Sequence, residues 1–204
     1  MIKNIIFDFG GVILTDDDIG FLFDNKELLD ILKVDRSVLG PVWDKNWKDV
    51  GENRLTIFEY YDVLQKELVG RSDHEFSKRL FEIYKERTKT LPLYSLLPKL
   101  SSKYDLFALT NIFKEGLVFK RDKFKLDNYF KFIAASCDIG ISKPNQEIFD
   151  YLIDKTNIDP KETIFVDDRE KNVIKAQELG FVAIRYVNYN GILKFFRELG
   201  IIDG

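Results

Sequence analysis

Four places along the chain carry side chains able to do chemistry on an anionic group. Asp8 ends an apolar run and is followed by Gly10 and Gly11; Thr110 and Asn111 end a second run; Lys143 sits in the stretch Gly140, Ile141, Ser142, Lys143, Pro144; Asp167 and Asp168 end a further run. Carboxylates with no accompanying histidine or cysteine cluster form a hard oxygen donor set, which suits Mg²⁺ far better than zinc. A lysine and a threonine supply donors that can hold a phosphoryl group, and adjacent glycines let the backbone come close to it. Each aspartate alone reads as an ordinary strand-end turn former. Together they are costly to bury without a cation, so jointly they point to a metal.

These residues need a frame that brings positions 8, 110, 143 and 168 to one crevice. Strongly β-branched or aromatic runs lie at residues 5–8, 106–110, 163–167 and 182–186, with a weaker one at 132–135. Their near-continuous hydrophobicity fits parallel strands covered on both faces. Between them, residues 145–155, 170–179 and 192–199 read as helices, the last two stopped by Gly180 and Gly200. The expected fold class is α/β, a doubly wound parallel sheet whose ligands gather at the carboxyl ends of its strands.

Residues 16–90 break the alternation. They carry no convincing strand, but two capping boxes, Thr56 with Glu59 and Ser72 with Glu75, each precede apolar residues at helical spacing. The first strand has no partner before residue 106, so this helical stretch must loop out of the α/β unit. The expected division is a core from residues 1–15 and 91–204, with a helical insertion at 16–90. The insertion's aromatics, Trp43, Trp47, Phe58, Tyr60 and Tyr61, read mostly as its own apolar filling, and Lys45, Lys48 and Arg54 as cations that could meet an anionic substrate tail.

Composition narrows the function. The 204 residues hold 31 Lys and Arg against 34 Asp and Glu, a net charge of −3, so no broad cationic surface for nucleic acid or anionic lipid is expected. The lone Cys137 and lone His74 exclude an internal disulfide and a Cys/His zinc site. Cys137 reads as a buried filler, and His74, in a polar run, as a solvated helix residue. The apolar N-terminal stretch is interrupted by Asp8, too early for a signal peptide or a membrane span, so a cytoplasmic protein is expected.

The segments IIFDFGGVI (5–13), LFALTNI (106–112), GISKPNQEIF (140–149) and TIFVDDREKNVIKAQELGF (163–181), in this order and spacing, resemble the haloacid dehalogenase superfamily. Gly51, Glu52, Asn53, Arg54, Leu55, Thr56 add a phrase like that of the subfamily with a helical cap inserted after the first strand. The resemblance implies a Rossmann-like core with an α-helical cap and a phosphatase acting on a small phosphorylated metabolite, a sugar phosphate among the candidates. It implies Asp8 as the nucleophile forming an aspartyl-phosphate, and Mg²⁺ held by Asp8, the Gly10 carbonyl and Asp168, with Asp167 completing or orienting the shell. Lys143 would bridge the nucleophile and a phosphoryl oxygen, and Thr110 with the Asn111 amide would donate to the transferring group.

One position departs from the pattern. Phosphatases of the family usually carry a second aspartate two residues after the nucleophile, to protonate the leaving oxygen and then deprotonate water; here that residue is Gly10. Such acid–base catalysis is worth roughly 10² to 10⁴ in rate. Its absence favours substrates with good leaving groups or a substitute proton source, for which Asp16, Asp17 and Asp18 in the loop beyond are one candidate. Two further readings follow: a catalytically silent protein that binds a phosphorylated ligand, and a metal-free haloacid dehalogenase. The paired Asp167 and Asp168 oppose the latter by repelling an anionic haloacid.

Overall fold

The computed structural model describes residues 1–15, 29 and 32–203. Asp16, Asp17 and Asp18, considered above as a substitute proton source, lie outside the described residues.

Five strands form one sheet: β1 (Asn4–Phe7), β2 (Asp105–Thr110), β3 (Phe132–Ala135), β4 (Thr163–Asp167) and β5 (Val182–Arg185), in the order β3-β2-β1-β4-β5. Every pairing is parallel, with Ile5 opposite Leu106 on one side and Ile164 on the other. The order reverses direction at β1, the switch point where two helix layers part and a crevice opens above the strand ends.

Both sheet faces are covered, as the unbroken apolar runs require. Ile5, Phe7, Leu106, Ala108, Ile164 and Val166 pack into one cluster with Leu97 and Leu100 of α4 (Leu97–Ser101) and Ile192 and Phe196 of α9 (Tyr189–Glu198). The alternate residues Ile6, Phe107, Leu109 and Phe165 pack on the other face with Ile148, Phe149 and Leu152 of α7 (Gln146–Thr156) and Ala176 of α8 (Glu170–Glu178). Gly180 and Gly200 stand just past α8 and α9 with φ of 90° and 68°, the left-handed stop that the sequence predicts.

Helices α1 (Arg36–Gly51), α2 (Ile57–Val69) and α3 (His74–Arg87) build a separate apolar cluster around Trp43, Tyr60, Tyr61, Leu64 and Leu80, which also takes in Phe113 ahead of α5 (Lys114–Lys123). Chain entry and exit pair with one another: Thr15 N–H donates to the Lys89 carbonyl and Leu91 N–H to that of Ile13, both at 2.9 Å. The box at Thr56 and Glu59 forms as expected, with both reciprocal bonds. The second box does not. Asp73 caps α3 in place of Ser72, its side chain accepting from Glu75 N–H at 3.0 Å, because an aspartate one residue nearer the helix does the same job. Cys137, on the short α6 (Ser136–Ile139), is buried, and His74 is exposed at the start of α3. No described helix is long and apolar enough to cross a membrane.

Candidate active site

Parallel pairing in register brings the strand ends level. Asp8 continues β1 by one residue, its N–H donating to the Val166 carbonyl at 2.9 Å, while Thr110 ends β2 and Asp167 ends β4. Lys143 arrives from the loop ahead of α7. Its ammonium donates to the Leu109 carbonyl at 2.6 Å, Asp167 Oδ2 at 2.7 Å and Asp8 Oδ2 at 3.0 Å, which uses all three of its protons. Residues Asp8, Thr110, Lys143 and Asp167 are all buried.

The aspartates differ in what holds them. Asp8 Oδ1 accepts from Phe9 N–H at 2.6 Å. Asp167 receives Asn172 Nδ2 at 2.9 and 3.0 Å and Arg169 N–H at 2.9 Å, besides Lys143. Asp168 reaches back to the loop after β1, where Gly11 has a φ of 71° and a β-carbon would stand 2.8 Å from Asp168 Oδ2. Gly11 is therefore required twice, by the left-handed backbone and by the approach of that carboxylate. One oxygen from each of Asp8, Asp167 and Asp168 lies within 4.8 Å of the others.

Three carboxylates and the Lys143 ammonium meet at this point. Burial pushes the Asp8 carboxyl up, Lys143 pulls it down, and Asp167 and Asp168 push it up again, to about 7 against an ordinary 3.8. Burial alone would lower Lys143, but Asp167 and Asp8 outweigh it and hold the ammonium above its usual range. A hard divalent cation fits this donor set, since it takes oxygen ligands and removes the excess negative charge.

Above these residues lies a cavity of about 430 Å³, lined by Asp8, Gly10, Asn111, Ser142, Lys143, Asn145, Arg169, Lys171 and Asn172 from the strand ends and by Asp44, Trp47, Lys48 and Gly51 from α1. The structure thus brings Asp8, Thr110, Asn111, Lys143, Asp167 and Asp168 to one end of the sheet, with Gly10 beside them. Asn111 also holds the lysine's loop in place. Its side-chain amide donates to the Lys143 carbonyl at 3.0 Å and accepts from Lys143 N–H at 2.8 Å. Of the three candidate cations on the helical block, only Lys48 faces the cavity. Lys45 pairs with Glu67, and Arg54 with Asp49 and Glu52. Trp47 is the one aromatic of the five considered that lines the cavity; Trp43, Tyr60 and Tyr61 are buried filling.

Sequence reasoning missed Asn172, which braces Asp167, and Ser136, which is fully buried. Ser136 Oγ donates to the Gly51 carbonyl at 2.6 Å and accepts from Ile112 N–H at 3.0 Å, joining α1 to the end of β2. Asn172 was legible as a polar residue next to Val173 on the buried side of a helix; Ser136 gave no local signal.

Comparison with known proteins places this geometry in a family. The sequence profile of haloacid dehalogenase-like hydrolases matches residues 2–180. A D-ribitol-5-phosphate phosphatase from Bacteroides thetaiotaomicron is 30% identical over 203 residues, spanning 89% of this chain and 90% of that protein. A crystal structure of a haloacid dehalogenase family enzyme from the same organism superposes with a TM-score of 0.79 at 25% identity, covering 95% of this chain and 98% of the other. Its complex with magnesium and inorganic phosphate superposes at 0.69 with 26% identity, covering 91% and 94%.

Proposed function

The chain belongs to the haloacid dehalogenase-like hydrolases, and from that membership we propose that it is a Mg²⁺-dependent phosphatase hydrolysing a small phosphorylated metabolite through an aspartyl-phosphate on Asp8. The observation that carries this reading is the Lys143 ammonium, 3.0 Å from Asp8 and 2.7 Å from Asp167, with an Asp168 oxygen within 4.8 Å of theirs. Asp8, Asp168 and the Gly10 carbonyl would hold Mg²⁺, with Asp167, whose oxygens already accept from Lys143, Asn172 and Arg169, orienting the set. When bound, the ion neutralises charge on the phosphate so that a carboxylate can approach it.

The chain's own groups do the rest. An Asp8 oxygen attacks phosphorus as the bond to the leaving oxygen breaks, and water then attacks phosphorus and releases Asp8. Lys143 keeps the nucleophile aimed and charged. A phosphoryl oxygen would have to share one of its three donors, all engaged in this structure. The Thr110 hydroxyl and the Asn111 backbone amide act as donors to the other phosphoryl oxygens. Residues 16–90 serve as a cap over the core of residues 1–15 and 91–204, excluding water and selecting the substrate. A cavity of about 430 Å³, walled by polar groups together with Trp47, Ile112, Phe113 and Pro144, has room for a sugar or polyol phosphate, in keeping with the relative named for D-ribitol 5-phosphate.

The test is phosphate release from an aryl phosphate with and without Mg²⁺, for the wild type and Asp8→Asn. Metal-dependent turnover should fall by at least about 10³-fold in the variant. Turnover that survives the substitution, or needs no metal, refutes the reading. Gly10 sustains a second one, a phospho-ligand-binding protein without turnover, which a melting shift with phosphate and Mg²⁺ but no hydrolysis would favour.

A further inference from the structure

We propose that Asp44 supplies the proton to the leaving oxygen and takes one from the attacking water, so that a carboxyl of the helical block does what no side chain beside Asp8 can do; this rests on the phosphatase reading above. In an in-line displacement the leaving oxygen stands opposite the attacking one. Asp8 lies on the sheet side of the cavity, and α1 contributes the facing residues Asp44, Trp47, Lys48 and Gly51. These are spaced i, i+3, i+4, i+7, one stripe of a helix. The stripe is fixed in place: Gly51 O accepts from Ser136 Oγ at 2.6 Å, and the Trp47 ring meets that of Phe113 edge-on at 5.9 Å.

The sheet side brings no second carboxyl into the cavity. Gly10 has no side chain, and each Lys143 proton already has an acceptor. Among the described residues lining the cavity, Asp8 and Asp44 are the only carboxyls. Asp44 makes no hydrogen bond or ion pair with any described residue, whereas its helix neighbours Lys45, Asp49 and Lys48 are paired with Glu67, Arg54 and Glu52. In the first step the Asp44 carboxyl gives its proton to the leaving oxygen while the bond from phosphorus to that oxygen breaks and the bond from Asp8 to phosphorus forms. In the second, the Asp44 carboxylate takes a proton from water as the water oxygen bonds phosphorus and the Asp8–phosphorus bond breaks. The products are the alcohol and inorganic phosphate, and Asp44 ends as it began.

The experiment compares two substrates on the full chain with Mg²⁺: 4-nitrophenyl phosphate, whose leaving group needs no proton, and the best alkyl phosphate from a panel. Asp44→Asn should lower kcat on the alkyl phosphate by roughly 10² to 10³ and on the aryl phosphate by less than about tenfold. Adding Gly10→Asp to Asp44→Asn should restore at least about a tenfold gain on the alkyl phosphate alone. Unlike Gly11, Gly10 has no positive φ, so no left-handed backbone opposes the substitution. Equal losses on both substrates, no recovery with Gly10→Asp, or the same substrate-dependent loss in Lys48→Met in place of Asp44→Asn would each overturn the assignment. So would a wild type that hydrolyses aryl but no alkyl phosphates. A wild type inactive on both overturns the phosphatase reading as well, which separates the two failures.

Discussion

Gly11 shows how much a site can rest on an absent side chain. Its φ of 71° is strained for any L-residue, and a β-carbon there would meet Asp168 Oδ2 at 2.8 Å and its Cγ at 2.9 Å, so the carboxylate would have to move. Gly11→Ala should therefore cost about 1–3 kcal/mol from backbone conformation and weaken Mg²⁺ binding through the displaced Asp168. Calorimetric titration of Mg²⁺ together with thermal melting checks both parts. A variant with lowered stability and unaltered metal affinity would show that Asp168 does not hold the ion. Asn172 contributes from the opposite direction. Its amide lies 2.9 and 3.0 Å from the two Asp167 oxygens, so it keeps that carboxylate turned toward Lys143. The two successive aspartates are held differently: Asp167 accepts from Lys143, Asn172 and Arg169, and Asp168 approaches the loop at Gly11.

At the level of elements, the sheet was legible because burial on both faces leaves continuous apolar runs, and β1, β2, β4 and β5 fall where those runs stand. The residues at the strand ends followed from the same runs, since parallel register puts Asp8, Thr110 and Asp167 side by side. What was not legible depends on how α1 sits over that end. Lys45, Lys48 and Arg54 look alike in sequence, and only packing sends Lys48 to the cavity while Lys45 and Arg54 pair elsewhere. The same is true of Ser136, whose partner Gly51 is 85 positions away. The Gly51 carbonyl belongs to the last turn of α1, where acceptors lack intrahelical donors, and Ser136 supplies one. Ser136→Ala leaves that carbonyl and the Ile112 N–H without this partner, so we expect a loss of about 1–3 kcal/mol and faster amide exchange in the last two turns of α1. If exchange there is unchanged while stability drops, the hydroxyl supports the segment after β2 alone and does not fasten the helix.

For the molecule as a whole, the three carboxylates within 4.8 Å sit at the carboxyl end of the one sheet that both helix layers cover, so their charge state is coupled to global stability. Burial, offset in part by Lys143 and reinforced by Asp167, lifts Asp8 to about 7, so between an unfolded value near 3.8 and about 7 the native state holds a proton that the unfolded chain has released. Stability from this group must then fall as pH rises through that window and level off above it. Under the proposed function Mg²⁺ binds the ionised carboxylates, so its stabilising effect should be larger at pH 8 than at pH 5. Asp8→Asn removes both dependences: without metal, the variant should melt above the wild type at pH 8, with the gap shrinking toward pH 5, where a protonated Asp8 and an asparagine are alike in charge. Melting curves at the two pH values, with and without Mg²⁺, decide it. A constant gap between variant and wild type across the range would mean that Asp8 is already ionised in the metal-free fold. Lys143 would then balance the carboxylates alone, and the charge argument for a divalent cation would lose its basis.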